Sequence, residues 1–277
     1  MAAKKSIRII RPSQPFGEWL KQLYARRETL WLFVWKDLKV QYEKPILGIF
    51  WSVFQPLVYF GIILLIMNVS GRDIPSSELP FSVYLICGLA VWNFSTAAIL
   101  GAVSSMQSNS GIITKSFFPR FYLVLAPVLK STIDLGIVLV ICFGIAAYHG
   151  LPPALESFSF IPNLLLLVWI TTLAWASIAA SSVVWNRHFR HAIPILLYAM
   201  IFALPVFYVA NDIENVTVTL VYQLNPIAGA MDFLRASFGF SSPSLNHFLL
   251  WLFQSIVWLV AAIIMFRKME KTLADKV

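Results

Sequence analysis

The stretch 28–60, ETLWLFVWKDLKVQYEKPILGIFWSVFQPLVYF, decides how the chain is read. Trp31, Val34, Trp35, Leu38 and Tyr42 fall at i, i+3, i+4, i+7 and i+11, one face of a helix. Lys36, Lys39, Glu43 and Lys44 lie off that stripe. Trp and Tyr beside Lys suit a membrane–water boundary, where amphipathic rings and snorkelling amines both fit. Pro45 marks a bend, and an apolar run from Leu47 to Val69 follows. The pattern predicts an amphipathic helix on a membrane surface that turns into the bilayer. A basic flank that only orients the first span fits the composition equally well.

Composition carries the class outward from this stretch. The chain is 59% hydrophobic and 12% charged, with mean hydropathy +0.76, against about 25% charged in soluble domains. Several stretches reach the roughly 20 apolar residues that a span requires. This predicts an all-α polytopic membrane protein. No apolar signal core follows the basic N-terminus within residues 1–28. Six spans are expected, at about 47–69, 81–104, 119–148, 161–185, 192–210 and 247–266. They divide the chain into a cytoplasmic arm with the interface helix (1–45), a transmembrane domain (46–267) and a tail (268–277). An even number of spans puts both termini on one side. Of the 21 Lys and Arg, 18 fall on the side of the termini, and only Arg72 and Arg235 on the other. That bias predicts cytoplasmic termini and accounts for the net charge of +8 without nucleic acid.

Along the chain, Pro12 and Pro15 argue against a helix in the first residues, and a second apolar stripe begins at Phe16. The first span contains Gln55 and Pro56 among Trp51, Phe54, Tyr59 and Phe60; the second contains Trp92, Asn93 and Phe94. A polar tract from Ser104 to Gly111 leads to IITKSFFPRF, a basic-aromatic turn with Lys115, Phe117, Phe118, Pro119 and Arg120. That turn reads either as a positive-inside anchor or as a knob for a cytoplasmic partner. In the third span Lys130 and Asp134 are four residues apart and able to pair. Ionisable groups inside a membrane suggest a pathway, but an internal ion pair or a snorkelling lysine explains them too. The fourth span is rich in small residues from Ala174 to Ser182, which let helices approach closely. Between the fifth and sixth spans, 211–246 is too apolar at its centre for a plain loop. Short re-entrant helices are expected there, although VTVTLVY (216–222) also alternates like a strand.

Several chemistries find no support. There is no GxxxxGK[ST] phosphate loop, and GIITKS (111–116) lacks its second glycine. HExxH, CxxC and GxSxG are absent, and Cys87 and Cys142 both lie in expected spans. His188 and His191 lack an acidic or Cys partner, so no metal site is expected.

Four stretches, in order, carry a family resemblance: WKDLKVQYEKPILGIFWSVFQPL (35–57), YLICGLAVWNF (84–94), NSGIITKSFFPRFYLVLAPV (109–128) and LNPIAGAMDFLRAS (224–237). The chain resembles the membrane (permease) subunit of a type-two ABC exporter for polysaccharides, in the O-antigen/lipopolysaccharide branch. Lys36 stands where that family often has Arg, and Pro45 where Ser or Thr is usual.

The resemblance implies a homodimer with two copies of a separate cytoplasmic ABC ATPase, which binds ATP and Mg. It implies that this chain itself carries no catalytic residue and no cofactor. It implies that Trp31, Trp35, Lys36, Asp37, Lys39 and Tyr42 belong to the interface helix, and that Lys115, Phe117, Phe118, Pro119 and Arg120 couple to the ATPase. The substrate would be an undecaprenyl-diphosphate-linked polysaccharide passing between the two copies in the bacterial inner membrane. Sugar rings stack on aromatics, and Trp51, Phe54, Tyr59, Phe60, Trp92 and Phe94 are the candidate lining. Capsular polysaccharide and teichoic acid are alternatives within the class. A proton-coupled transporter using Lys130 and Asp134, or a polyprenyl-phosphate enzyme, are alternatives outside it.

Overall fold

A computed structural model describes residues 15–42, 48–70, 80–109, 111, 118–151, 155–208 and 222–275. Among them there is no strand. The helices are α1 (Phe16–Ala25), α2 (Arg27–Tyr42), α3 (Gly48–Ser70), α4 (Phe81–Ser108), α5 (Tyr122–Tyr148), α6 (Ile161–Trp185), α7 (Phe189–Ala203), α8 (Pro226–Ala236) and α9 (Leu245–Asp275). A 3-10 turn at Leu155–Phe160 leads into α6. Among the described residues, four stretches are long and apolar enough to cross a membrane: Phe81–Ser108, Tyr122–Tyr148, Phe158–Trp185 and Leu245–Lys271. At about 1.5 Å per residue each exceeds the ~30 Å hydrocarbon thickness. Pro56–Met67 and Phe189–Ala203 are shorter apolar helices.

The centre of the bundle is α4. It is apolar on all sides, and nearly every residue from Phe81 to Phe94 is buried. It packs on α5 and α6; α9 packs along α6, and α8 lies against α6 and α4. Lipid offers no hydrophobic incentive for helices to associate, so close approach and polar bonds must hold them. The small face of α6 supplies the approach: Ala174, Ala176, Ser177, Ala180 and Ser181 are fully buried. Its hydroxyls supply the bonds, Thr172 to Ser95 at 3.1 Å and Thr171 to Ser255 at 2.8 Å. Gly229 of α8 works likewise, because a Cβ there would stand 2.3 Å from the Trp251 ring of α9.

At the edge, α3 and α7 touch the rest of the bundle lightly. Ile62, Leu65, Ile66 and Val69 of α3 are exposed, as are Ile195, Leu196, Tyr198 and Phe202 of α7. Such faces are built for lipid or for another protein.

Several helix ends differ from the expected spans, and α9 runs on to Asp275, past the expected 266. The α4 helix continues past residue 104 to Ser108, because Asn109 turns back on the polar tract and its Nδ2 donates to Ser105 O at 2.8 Å. The helix expected over 192–210 starts earlier, at Phe189, and stops at Ala203. Leu204 is extended (φ −97°, ψ 149°), the conformation that the following Pro205 imposes on its neighbour. The strand considered for 216–222 falls on residues outside the described ones, apart from Tyr222.

Candidate functional site

The helices α1 and α2, the last turns of α9 and the turn before α5 meet at one end of the bundle. There α2 lies across α5 with Leu30, Phe33, Val34, Asp37, Leu38 and Gln41 turned inward, at the i, i+3, i+4, i+7, i+8, i+11 spacing of one helix face. This corrects the expected stripe: Val34 is 2% exposed, but Trp31 and Trp35 are 60% and 69% exposed. The reason is polar. Tyr42 Oη donates to Asp134 Oδ1 at 2.7 Å, and Gln41 Nε2 to the same oxygen at 3.4 Å. Lys130 Nζ stands 3.8 Å from Asp134 Oδ2, and Lys36 Nζ donates to Asn109 Oδ1 at 2.7 Å. These partners fix the rotation of α2 and leave both tryptophans facing away from the protein. Asp37 sits at the same joint. Burial pushes its carboxyl above the ordinary range, against the ammonium groups of Lys36 and Lys130.

The turn before α5 is gripped from two sides. Phe118 packs on Phe33 of α2, ring centroids 5.2 Å apart. Arg120 Nη1 donates to Glu270 O of α9 at 3.0 Å. Next to it Phe121 meets Trp19 of α1 and Phe266 of α9 edge-on, both at 5.3 Å. Tyr122 Oη donates to Leu23 O. The turn therefore joins α1, α2, α5 and α9, and a push on it reaches all four. Lys115 and Phe117, the other expected coupling residues, lie outside the described residues. Lys39 is on the exposed face of α2.

The six candidate lining aromatics divide. Phe54 and Tyr59 of α3 are 39% and 42% exposed, and Phe60 is half-buried. The Trp51 side chain lies outside the described residues. Trp92 and Phe94 are 3% and 2% exposed. They are packed inside the chain's own core, because α4 is surrounded by other helices. Residues that sequence reasoning did not single out are Gln41, Asn109 and Glu270. Their partners are far along the chain, and no local spacing points to them.

The sequence matches the family described as "ABC-2 type transporter" over residues 28–239. It is 25% identical over 244 residues to an "O-antigen export system permease protein RfbA" of Klebsiella pneumoniae, covering 87% of this chain and 91% of that protein. It is 26% identical over 221 residues to a protein of the same name from Myxococcus xanthus, covering 79% and 83%. With an all-helical membrane bundle and a family match across most of its length, the chain belongs to the ABC-2 type transporter family.

Proposed function

We propose that the chain is the transmembrane subunit of an ATP-driven exporter of lipid-linked polysaccharide, with O-antigen as the polymer. The observation that carries this is the similarity to O-antigen export permeases over 87% of the chain. In this reading two copies pair through the lightly packed α3 and α7, and the path runs between them past Phe54, Tyr59 and Phe60. Apolar sugar faces stack on such rings. The carrier is undecaprenyl diphosphate, drawn to the basic end of the bundle. Two copies of a separate ATPase bind ATP and Mg and push on the turn at Phe118, Pro119 and Arg120, completed by Lys115 and Phe117. The grip of that turn on α1, α2, α5 and α9 supports this role. Both termini face the cytoplasm from the inner membrane, and α8 belongs to a re-entrant segment on the opposite side.

The test is purification of the tagged chain from gently solubilised membranes, with partners identified and ATP hydrolysis assayed. An equimolar nucleotide-binding subunit and ATPase stimulated by lipid-linked O-antigen support the proposal. Stimulation by capsular or teichoic polymer instead corrects the substrate. A chain that transports without any ATPase points to proton coupling through Asp134.

A further inference from the structure

At the other end of the bundle Arg235, in the last turn of α8, is 1% exposed. Asn225 starts α8 by accepting from Ile227 N at 3.0 Å with Pro226 in the first turn, so the helix delivers its last turn into the core. Arg235 Nη2 donates to Pro205 O at 2.5 Å. Its Cζ lies 3.5 Å from the centroid of the Tyr84 ring of α4. Tyr84 Oη in turn donates to Tyr208 O at 2.9 Å. Gly88 provides the room, since a Cβ there would stand 2.9 Å from Nη2 and 3.2 Å from Val206 Cα. Asp232, one turn back, is 3.9 Å from Nη1, beyond hydrogen-bond range. Nε and Nη1 make no hydrogen bond among the described residues.

The arginine's hold is therefore placed on one carbonyl and one ring. That carbonyl lies two residues past Ala203, where α7 ends. A helix end carries unsatisfied carbonyls and a partial negative charge, and a cation there stabilises it. We propose that Arg235 is a positioning residue for export, holding the segment that leaves α7 and pinning it to α8 and α4 so that they move as one unit. This rests on the transport reading above. Tyr84 serves the same unit from α4, as the face on which the guanidinium stacks and as a second donor to the 205–208 segment. Lysine keeps the charge but cannot both stack on the ring and reach the carbonyl as a planar fork does.

The test uses the complex with its ATPase in membranes, comparing Arg235→Lys, Gly88→Ala and Tyr84→Phe. Gly88→Ala keeps the arginine and wedges it from Val206, so it carries the test even where Arg235→Lys fails to accumulate. Two readouts are taken: polymer exported per ATP hydrolysed, and maleimide labelling of a cysteine placed at Phe207. Loss of a charge-assisted bond raises a locally opened population by about tenfold or more. The expected result is ATPase near that of the parent, exported polymer per ATP lowered, and Phe207→Cys labelling faster by about that factor. Unchanged labelling and unchanged export per ATP in Gly88→Ala overturn the proposal. A parent complex that neither exports nor hydrolyses ATP overturns the transport reading instead, while labelling still reports on the pin.

Discussion

The ion pairs Lys130–Asp134 and Asp232–Arg235 have similar spacings and similar separations, 3.8 Å and 3.9 Å. They serve their ends of the bundle in different ways. At the end where α2 crosses α5 the carboxylate is the hub: Asp134 receives Tyr42 and Gln41 from another helix. A lysine placed before an aspartate at i,i+4 is the weaker orientation on a helix, so Asp134 depends on those distant donors. Its side chain is 15% exposed and that of Lys130 is 23% exposed, so this pair is only partly buried. At the opposite end the cation is the hub. Arg235 is dry and spends its strongest bond on a carbonyl rather than on Asp232. The difference teaches that sequence spacing locates a pair, whereas the third partner decides what the pair does.

The harshest way to break the comparison is Arg235→Leu. Removing one member of a buried charged group costs about 3–5 kcal/mol, read as a lowered unfolding midpoint in detergent. The double variant Arg235→Leu/Asp232→Leu sharpens it. If the bond to the carbonyl is the main interaction, the double variant regains less than half of the loss. Near-complete recovery would make the ion pair dominant and dissolve the distinction between the two ends.

Next comes pH. Burial pushes the Asp232 carboxyl up to about 6, and Arg235 offsets this only in part. The folded chain thus keeps its proton to higher pH than the unfolded chain, whose ordinary value is 3.8. The stabilising contribution is full below about pH 4, falls as pH rises to about 6 and is flat above, on the order of 2–3 kcal/mol in all. Asp232→Asn should flatten that slope in thermal unfolding between pH 4 and 7.5. A slope that survives in the variant would assign it to another group.

How much of this was readable beforehand follows from the same contrast. Apolar length gave the long helices, the Phe16 stripe marked where α1 starts, and the spacing of Lys130 and Asp134 suggested their pairing. The rotation of α2 was not readable, because Trp31 and Trp35 extend its apolar stripe over two faces and the deciding acceptor, Asp134, lies 92 residues from Tyr42. The end of α7 was not readable because Pro205 lies inside the expected span 192–210, where a proline can kink a helix as well as end it. The burial of Trp92 and Phe94 was hidden since α4 is apolar all round and shows no preferred face. Arg235 stood out as one of two cations on its side, but nothing local names Tyr84 and Pro205 as its partners.

A milder break is Tyr42→Phe at the carboxylate hub. It removes a hydroxyl donated to an ionised group and costs about 1.5–3 kcal/mol of α2 docking. The measurement is limited trypsin cleavage of the purified chain at Lys36 and Lys39. Faster cleavage, by about tenfold or more, is expected with the thermal midpoint of the bundle barely changed. Equal cleavage of the two proteins would remove Asp134 as the anchor of α2.

The smallest effect is expected from Lys36→Met. Asn109 is 2% exposed and loses its acceptor's partner, but Lys36 itself is exposed and water replaces most of what it gives. The cost should be about 0.5–1 kcal/mol, read at Lys39, the site this variant keeps, in the same cleavage assay. The double variant with Tyr42→Phe then asks how α2 leaves. If the helix docks as a rigid unit, both bonds belong to one equilibrium and the losses add within about 0.3–0.5 kcal/mol. If its end peels first, Tyr42→Phe alone, which keeps both sites, exposes Lys39 without disturbing Lys36, and the two cleavage sites respond separately. Separate responses would make the joint at this end a graded hinge, in contrast to the single pin that Arg235 forms at the other.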